Sequence, residues 1–511
     1  MSKKIKTLKN LQKILSKKKR KNKKKIVLCH GVFDLLHIGH IKHFREAKSK
    51  GDILVVTVTP DKFVSKGPNR PIFSLNTRME AISELDCVDF VAPNITSNAI
   101  KPIINLKPNF YCKGQEYKKF SNDSTGLIKQ EVKTIQKVGG KIFYTGGEVY
   151  SSSKIINDTS LNLTYEQKKF LDSVKTQNTL NQNNNINKII ESFSNLKVLV
   201  IGEAIIDEYI YCEALGKSGK EPVLVLRDLF KERYLGGSAA IAKNISGFTK
   251  KVTLLSYVGE RNEEKNFLSK NLPSNINSYF LKKKNSPTII KKRFVEDINK
   301  RKILGVYSLN DQSLNNKEQQ LFQKKIIQEI KRHDLVVVSD YGHGLISNET
   351  AKLIIKKSKF LTVNTQLNAS NAGFHVISKY NKANLTLINE TELRQEFRNK
   401  VDNVDILIKQ LSKKVKSNYS VVTCGKHGSK IFSLKNRKII TCPAFANNVT
   451  DKIGTGDTML ALLSLAMYKK IDTKFCMLLS ALGAAYNIEH MANSVSLSKS
   501  SIIKAMQSYL K

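Results

Sequence analysis

IVLCHGVFDLLHIGHIKHFREAKSKG, residues Ile26 to Gly51, holds a strand, a glycine turn and the start of a helix. Ile26 to Cys29 is an unbroken apolar run of the kind a parallel strand shows when both its faces are covered. Gly31 lets the chain turn sharply. The helix that follows carries Ile41, Phe44 and Ala47 on one face, and His37-Ile38-Gly39-His40 stands at its N-terminus. Unpaired N–H groups at a helix start attract anions. Two imidazoles there can donate to phosphate oxygens as charge builds up in a transition state, and Lys42 adds fixed positive charge. His37, His40 and His43 also fall at spacings of three, but one helix presents only part of a zinc shell, and no Cys or carboxylate cluster completes it.

Working outward, Asp52 to Val58 is a second buried strand, so the stretch is a βαβ unit with a right-handed crossover and a parallel sheet. Lys66 to Ile72 is a basic turn, and Thr77-Arg78-Met79 opens a helix. Val88 to Val91, Phe110 to Gly114 and Lys141 to Tyr144 read as three more strands. Ser151, Ser152 and Ser153 open a closing helix, where hydroxyls cap. Residues 1–25 read as a basic helix or disordered arm, 26–160 as the first domain and 161–194 as a connection. Within that connection, Tyr165 to Val174 is a candidate helix, TQNTLNQNNN a polar linker and Ile186 to Phe193 a short amphipathic helix.

Residues 195–511 read as a second α/β domain. Its strands include Lys197 to Gly202, Val223 to Leu226, Val252 to Tyr257, Asp334 to Ser339, Leu385 to Ile388 and Ser420 to Thr423. Gly454-Thr455-Gly456-Asp457 precedes an apolar helix. Such a helix start forms an anion hole from backbone N–H groups, and the glycines keep side chains out of it. Asp457 is placed to take a proton from an attacking hydroxyl, and the helix dipole predicts an ionised carboxylate. The same four residues also suit a tight helix-start turn with no chemistry.

The bulk numbers agree with more than one globular domain. A chain of 511 residues suggests two to four domains, and 41% hydrophobic residues suit a soluble globular protein. No apolar run reaches the roughly 20 residues that span a bilayer, and the lysine-rich N-terminus lacks an apolar signal region. Seven scattered cysteines with no CxxC pair suit a reducing, cytoplasmic setting. The net charge of +43 raises nucleic acid as a partner. Lysine, asparagine and isoleucine are abundant along the whole chain, which reads as compositional drift, so nucleic acid is not expected. The run SKKKRKNKKK, Ser16 to Lys25, is the exception. It leaves one reading of another class, a nucleic-acid or membrane-surface binder that has lost catalysis.

GVFDLLHIGH resembles the HxGH nucleotidyltransferases, most closely those acting on sugar phosphates and glycerol phosphate. KGPNRPI, LNTRMEAI and KGQEY narrow the resemblance to the bifunctional heptose kinase/adenylyltransferase family. GTGD, the double glycine Gly236-Gly237, NETE and TCGKHG follow the order of the ribokinase-like sugar kinases. PTIIKKRFVE and SDYGHG lean to the heptose branch again. The resemblance implies an N-terminal Rossmann-like nucleotidyltransferase and a C-terminal ribokinase-like α/β/α kinase. In the first, it implies catalysis by His37, His40 and Lys42. Nucleotide contacts are implied at Gly31, Phe33, Arg78, Lys113, Ser151, Ser152 and Ser153, and a substrate contact at Asp34. In the second, it implies Asp457 as base, ATP at Thr423, Gly425, Gly428, Gly454 and Gly456, and sugar at Asp207, Gly236 and Gly237. Asn389 and Glu392 would lie near Mg²⁺ and the phosphates, meeting the metal indirectly.

The implied activity is phosphorylation of a sugar, with heptose phosphate at its anomeric hydroxyl as the first candidate. Nucleotidyl transfer to the sugar 1-phosphate follows, with ATP as the nucleotide and CTP as the alternative. The expected partners are a sugar or sugar phosphate and a nucleoside triphosphate, with a homodimer left open. The sequence departs from the family at Ala240, where asparagine is usual, at His343, where lysine is usual, and at Val363-Asn364-Thr365-Gln366. Its domain order is also inverted.

Overall fold

The computed structural model describes residues 2–64, 71–118, 128–146, 163–176, 183–368, 371, 375–446 and 448–510. Ser151, Ser152 and Ser153, the basic turn 66–70 and the polar stretch 177–182 lie outside the described residues. The chain divides into two compact units, Met1–Asn162 and Leu163–Leu510.

The first unit begins with α1 (Leu8–Asn22), which Thr7 caps by accepting the Asn10 N–H. Leu8, Leu11 and Leu15 fall on one side of this lysine-rich helix and are buried in the core. Of the two readings of residues 1–25, a basic helix or a disordered arm, the structure has the helix, docked on the core. Its lysines are good helix formers, and the three leucines supply the face that docks it. Five strands follow: β1 (Ile26–Gly31), β2 (Ile53–Val58), β3 (Phe90–Pro93), β4 (Phe110–Gly114) and β5 (Lys141–Thr145). They pair in parallel in the order β3-β2-β1-β4-β5. The helices α2 (Ile38–Lys48) and α3 (Leu75–Ser83) cover one face through Phe44, Ala47, Met79 and Ile82. The other face carries α1, α4 (Ile100–Leu106) and α5 (Ile128–Lys137), through Leu11, Ile103 and Ile135. This is a doubly wound sheet, and the strand order reverses between β1 and β4. Ligands of such sheets bind outside the strand carboxyl ends at that reversal, which is where His37 and His40 stand.

The second unit starts earlier than the linker reading allowed. Helices Tyr165–Lys175 and Asn183–Glu191 bury Phe170, Leu171, Val174, Ile186 and Ile190, and pack on helices Thr473–Ile488 and Lys499–Tyr509. The central sheet has nine strands, in the order β10-β9-β6-β13-β14-β15-β16-β17-β18. These are β6 (Lys197–Gly202), β9 (Lys251–Gly259), β10 (Ile276–Lys283), β13 (Leu335–Asp340), β14 (Leu361–Thr365), β15 (Ala383–Asn389), β16 (Ser417–Thr423), β17 (Ser429–Ser433) and β18 (Lys438–Cys442). All neighbours are parallel except the two final pairs. A second sheet, β12-β11-β7-β8, is built from β7 (Ala204–Lys217), β8 (Leu224–Gly236), β11 (Ile290–Glu296) and β12 (Lys302–Ser308). Only a fragment of it, Val223 to Leu226, was legible in the sequence. Its outer half is exposed on both faces and mixes apolar with charged side chains, so it lacks the apolar alternation that marks a half-buried strand.

Candidate active sites

In the first unit, His37 is the N-cap of α2, its Nδ1 accepting the Gly39 N–H at 3.1 Å. That bond fixes the ring, and the His40 imidazole stacks on it with centroids 4.0 Å apart. Phe33 meets His40 edge-on at 5.4 Å. Phe33 and Leu35 both have positive φ, and the tight turn brings the Phe33 ring under Gly31, where a Cβ would approach it to 2.9 Å. The glycine and the HxGH histidines thus form one rigid corner at the end of β1. Lys42, on the first turns of α2, is exposed.

Three neighbours make protein contacts that the sequence did not show. Asp34 is buried, and its carboxylate accepts the N–H groups of Ile72 (2.8 Å) and Phe73 (3.1 Å). It clamps the end of the basic turn. Arg78 is 2% exposed, and its guanidinium donates to the carbonyls of Phe73, Val32 and Thr59 and to Asp61. It braces the corner from behind. Lys113 reaches inward to the buried Glu131 at 3.4 Å, between the rings of Tyr111 and Tyr117. Glu131 also accepts from the Tyr111 O–H and the Ala99 N–H. A charged residue in a motif can serve the ligand or the loop that shapes its site, and sequence does not separate the two. Burial, followed by the Lys113 charge, pushes His30 and His43 down to about 4, so both stay neutral at physiological pH.

In the second unit, Asp457 lies in the first turn of helix Thr455–Tyr468 and is buried. The cap of that helix is Gly454, at φ +82°, and a Cβ there would come within 2.1 Å of Asn493 Oδ1. A Cβ on Gly456 would meet nothing within 4 Å, so the space beside it is open. The Asp457 carboxylate accepts from the Tyr341 O–H at 2.9 Å and the Gln366 amide at 3.0 Å. Burial pushes it up to about 7, and the Asp207 charge adds to this. The expectation of a fully ionised group is corrected: desolvation outweighs the helix dipole.

Asp207 is held by Arg293 at 2.6 Å and sits against Gly236, where a Cβ would collide with its Oδ2 at 2.2 Å. Gly237, at φ +57°, opens the next helix. Lys291, in register with Asp207 across β7 and β11, is 7% exposed between the rings of Tyr307 and Tyr341. It feels the charges of Asp207, Glu203 and Asp457. Tyr341, Gln366, Lys291 and Arg293 were not assigned roles from sequence, although SDYGHG and PTIIKKRFVE contained three of them. Gln366 lay in the segment that departs from the family. At the other departures, His343 is buried against Asp311 at 2.6 Å and pushed down to about 4 by burial, while the Lys283 ammonium donates to its carbonyl. Ala240 is buried, and Asn244 one turn later donates to Thr458.

Asn389 and Glu392 form a capping box. The Glu392 oxygens accept the N–H groups of Asn389 and Leu367, and burial pushes the acid up to about 7. No set of three metal-ligating side chains occurs among the described residues. This pair fits an outer, water-mediated contact with Mg²⁺ carried by nucleotide phosphates, and does not fit a direct chelate. Thr423 ends β16, and Gly425 and Gly428 follow at positive φ, with the Gly425 Cβ position open and that of Gly428 against the Cys442 carbonyl. The loops after β15 and β16 and the start of helix Thr455–Tyr468 thus bring the expected nucleotide residues to one end of the sheet.

A parallel sheet with a buried acid beside an open helix N-terminus, and a second small sheet that brings Asp207 and Arg293 toward that acid, fit a phosphotransferase of the sugar-kinase class. The profile of the pfkB carbohydrate kinases matches residues 195–498, and the chain belongs to that family. A cytidylyltransferase-like profile matches residues 28–182. The bifunctional protein HldE of Campylobacter jejuni is 30% identical over 314 residues, 61% of this chain and 65% of that protein. The HldE of Helicobacter pylori is 30% identical over 283 residues, 54% of this chain and 59% of that protein. The chain thus spans less than two thirds of the length of these relatives. Phosphofructokinase-2 from Escherichia coli, solved with substrates and products, superposes with a TM-score of 0.50 at 14% identity. That match covers 61% of this chain and 99% of the other, and it speaks to the fold alone.

Proposed function

We propose that the chain is a two-headed enzyme that makes a nucleotide-activated sugar. The second unit transfers the γ-phosphoryl group of MgATP to the anomeric hydroxyl of a sugar phosphate of the heptose class. Asp457 takes the hydroxyl proton, oriented by Tyr341 and Gln366, while the open helix start beside Gly456 receives the moving phosphoryl group. Asp207, held by Arg293, binds sugar hydroxyls. The first unit lets a sugar 1-phosphate, freed of its other phosphate by a separate phosphatase, attack the α-phosphate of a nucleoside triphosphate, and pyrophosphate leaves. His37 and His40, stacked at the α2 N-terminus, stabilise the charge on that phosphate. Neither step forms a covalent enzyme intermediate.

The observation that carries the reading is the buried Asp457 carboxylate, held by two side-chain donors and poised near neutrality. ATP is the first nucleotide for the N-terminal unit because KGPNRP and KGQEY lean to the adenylyl branch. The cytidylyltransferase-like match favours CTP as the second reading. The test is incubation of purified protein with a panel of sugars and sugar phosphates and either ATP or CTP, read by mass spectrometry. A sugar bisphosphate is expected from a sugar phosphate and ATP, and a nucleotide sugar with pyrophosphate from a supplied sugar 1-phosphate. Phosphate transfer to none of the sugars would overturn the kinase reading.

A further inference from the structure

We propose that the outer face of α1, α4 and α5 docks the protein on an anionic lipid bilayer. The three helices form one layer, with α1 beside α4 and α4 beside α5, over the sheet face that holds Leu11, Ile103 and Ile135. Leu8, Leu11 and Leu15 fix the rotation of α1, so Lys9, Lys13 and Lys17, one turn apart, are exposed along the opposite side. Lys18 is exposed as well, over the edge of the Phe90 ring. On α5, Lys129, Lys133 and Lys137 repeat the spacing, all exposed. Lys101 and Ile104, the latter 49% exposed, lie on α4 between the two stripes.

This is not drift alone. Over the whole chain, 86 basic residues meet 43 acidic ones. The sequences of the three helices contain one acid, Glu131, and it is buried on Tyr111 and Lys113. Like charges one turn apart destabilise a helix, so two uninterrupted lysine stripes are kept against a local cost. An anionic surface would reverse the sign of that cost.

The chemistry of the face favours lipid over nucleic acid. The charges on its described side chains are ammonium groups without the planar fork that grips phosphates in pairs, and no aromatic ring is exposed on α1, α4 or α5 for bases to stack on. A flat lysine layer with an aliphatic side chain at its centre suits a headgroup region, where lysines act additively and Ile104 can enter the acyl boundary. Docking through this layer leaves the HxGH corner open, because α2 belongs to the opposite layer.

The test is flotation of the full chain with vesicles of equal parts phosphatidylglycerol and phosphatidylcholine, against phosphatidylcholine alone. Salt-sensitive binding to the anionic vesicles is expected, with none to the neutral ones. Each surface lysine contributes about fivefold, so joint replacement of Lys9, Lys13, Lys17 and Lys18 by Gln should lower partitioning by about 10² or more. Joint replacement of Lys352, Lys356, Lys357 and Lys359 by Gln in the second unit removes the same charge and should change it only a few-fold. Unchanged nucleotidyl transfer in free solution would show the first variant folded. Equal losses from both variants, equal binding to neutral vesicles, or retention on single-stranded RNA under salt that releases the vesicles would each overturn the proposal.

Discussion

Asp457→Asn is the change that most directly tests the kinase chemistry. The asparagine keeps the shape and can still meet Tyr341 and Gln366, but it cannot accept a proton at neutral pH. Sugar phosphorylation should fall by about 10²–10⁴, the range for loss of a general base. With the wild-type carboxylate pushed up to about 7, half the molecules carry the base at that pH. Turnover should therefore fall about tenfold per unit below pH ~6 and level off above ~8. Tyr341→Phe supplies the finer measurement. It keeps the base and removes a donor that favours the ionised form. A hydrogen bond to a charged group contributes about 1.5–3 kcal/mol. At about 1.4 kcal/mol per unit, the rising limb should move up by one to two units. Activity lost at pH ~7 should return near ~9. The assay is ADP release against pH with the sugar phosphate found by mass spectrometry.

Stability gives an independent readout with a fixed sign. The folded Asp457 holds its proton more tightly than the unfolded one, whose pKa is about 3.9. Its contribution is fully present below about pH 4 and disappears as pH rises through about 7. Asn does not titrate, so the variant's melting temperature relative to wild type should rise from pH ~5 to ~8. Glu203 and Glu392, also pushed up to about 7, keep part of the wild-type slope. If the Asn variant turns over normally and simply melts lower, Asp457 is a structural residue and the mechanism is wrong. An unmoved pH limb in Tyr341→Phe would refute the proton-transfer role by itself.

The remaining expectations are as follows. His40→Ala should lower nucleotidyl transfer by about 10²–10³ while sugar phosphorylation continues, and equal loss of both activities would point to misfolding. Asp451 is buried and accepts from Tyr209 on β7 and Lys302 on β12, each at 2.6 Å, and from the N–H groups of Ile453 and Ala492. Asp451→Asn should loosen the small sheet by about 1–3 kcal/mol. Faster amide exchange in β7 and β12, with helix Thr455–Tyr468 unchanged, is the signature, and equal exchange in the variant and the wild type would remove that role. Residues 1–162 and 163–511 expressed separately should each fold and keep one activity. A cut at residue 190 should give an unstable kinase, because it strips away the buried Phe170, Leu171, Val174 and Ile186; a soluble, active 190–511 fragment would contradict this.

What the sequence showed and what it hid follow from the range of the interactions involved. Apolar runs such as Ile26 to Cys29 and Val198 to Ile201 encode buried parallel strands locally, so the five strands of the first sheet and β6, β9, β13, β15 and β16 of the second were legible, while β10, β14, β17 and β18 were not. The glycines of GTGD and the HxGH pair were legible for the same reason: their geometry is set within one turn. The bracing contacts of Arg78 were hidden because its partners are Val32, Thr59, Asp61 and Phe73, brought together only by the crossover from β2 to α3. Those of Asp34 were hidden likewise, since its clamp on Ile72 and Phe73 spans a loop. Gln366 shows the limit most sharply. It stands in a segment that departs from its relatives, yet it reaches Asp457 across 91 positions of sequence. On the proposed mechanism, a donor to the Asp457 carboxylate tunes the base, so this segment bears on proton transfer as well as on the sugar pocket. The pH dependence of phosphorylation, more than the list of accepted sugars, is where this chain should differ from a relative that carries another residue at that place.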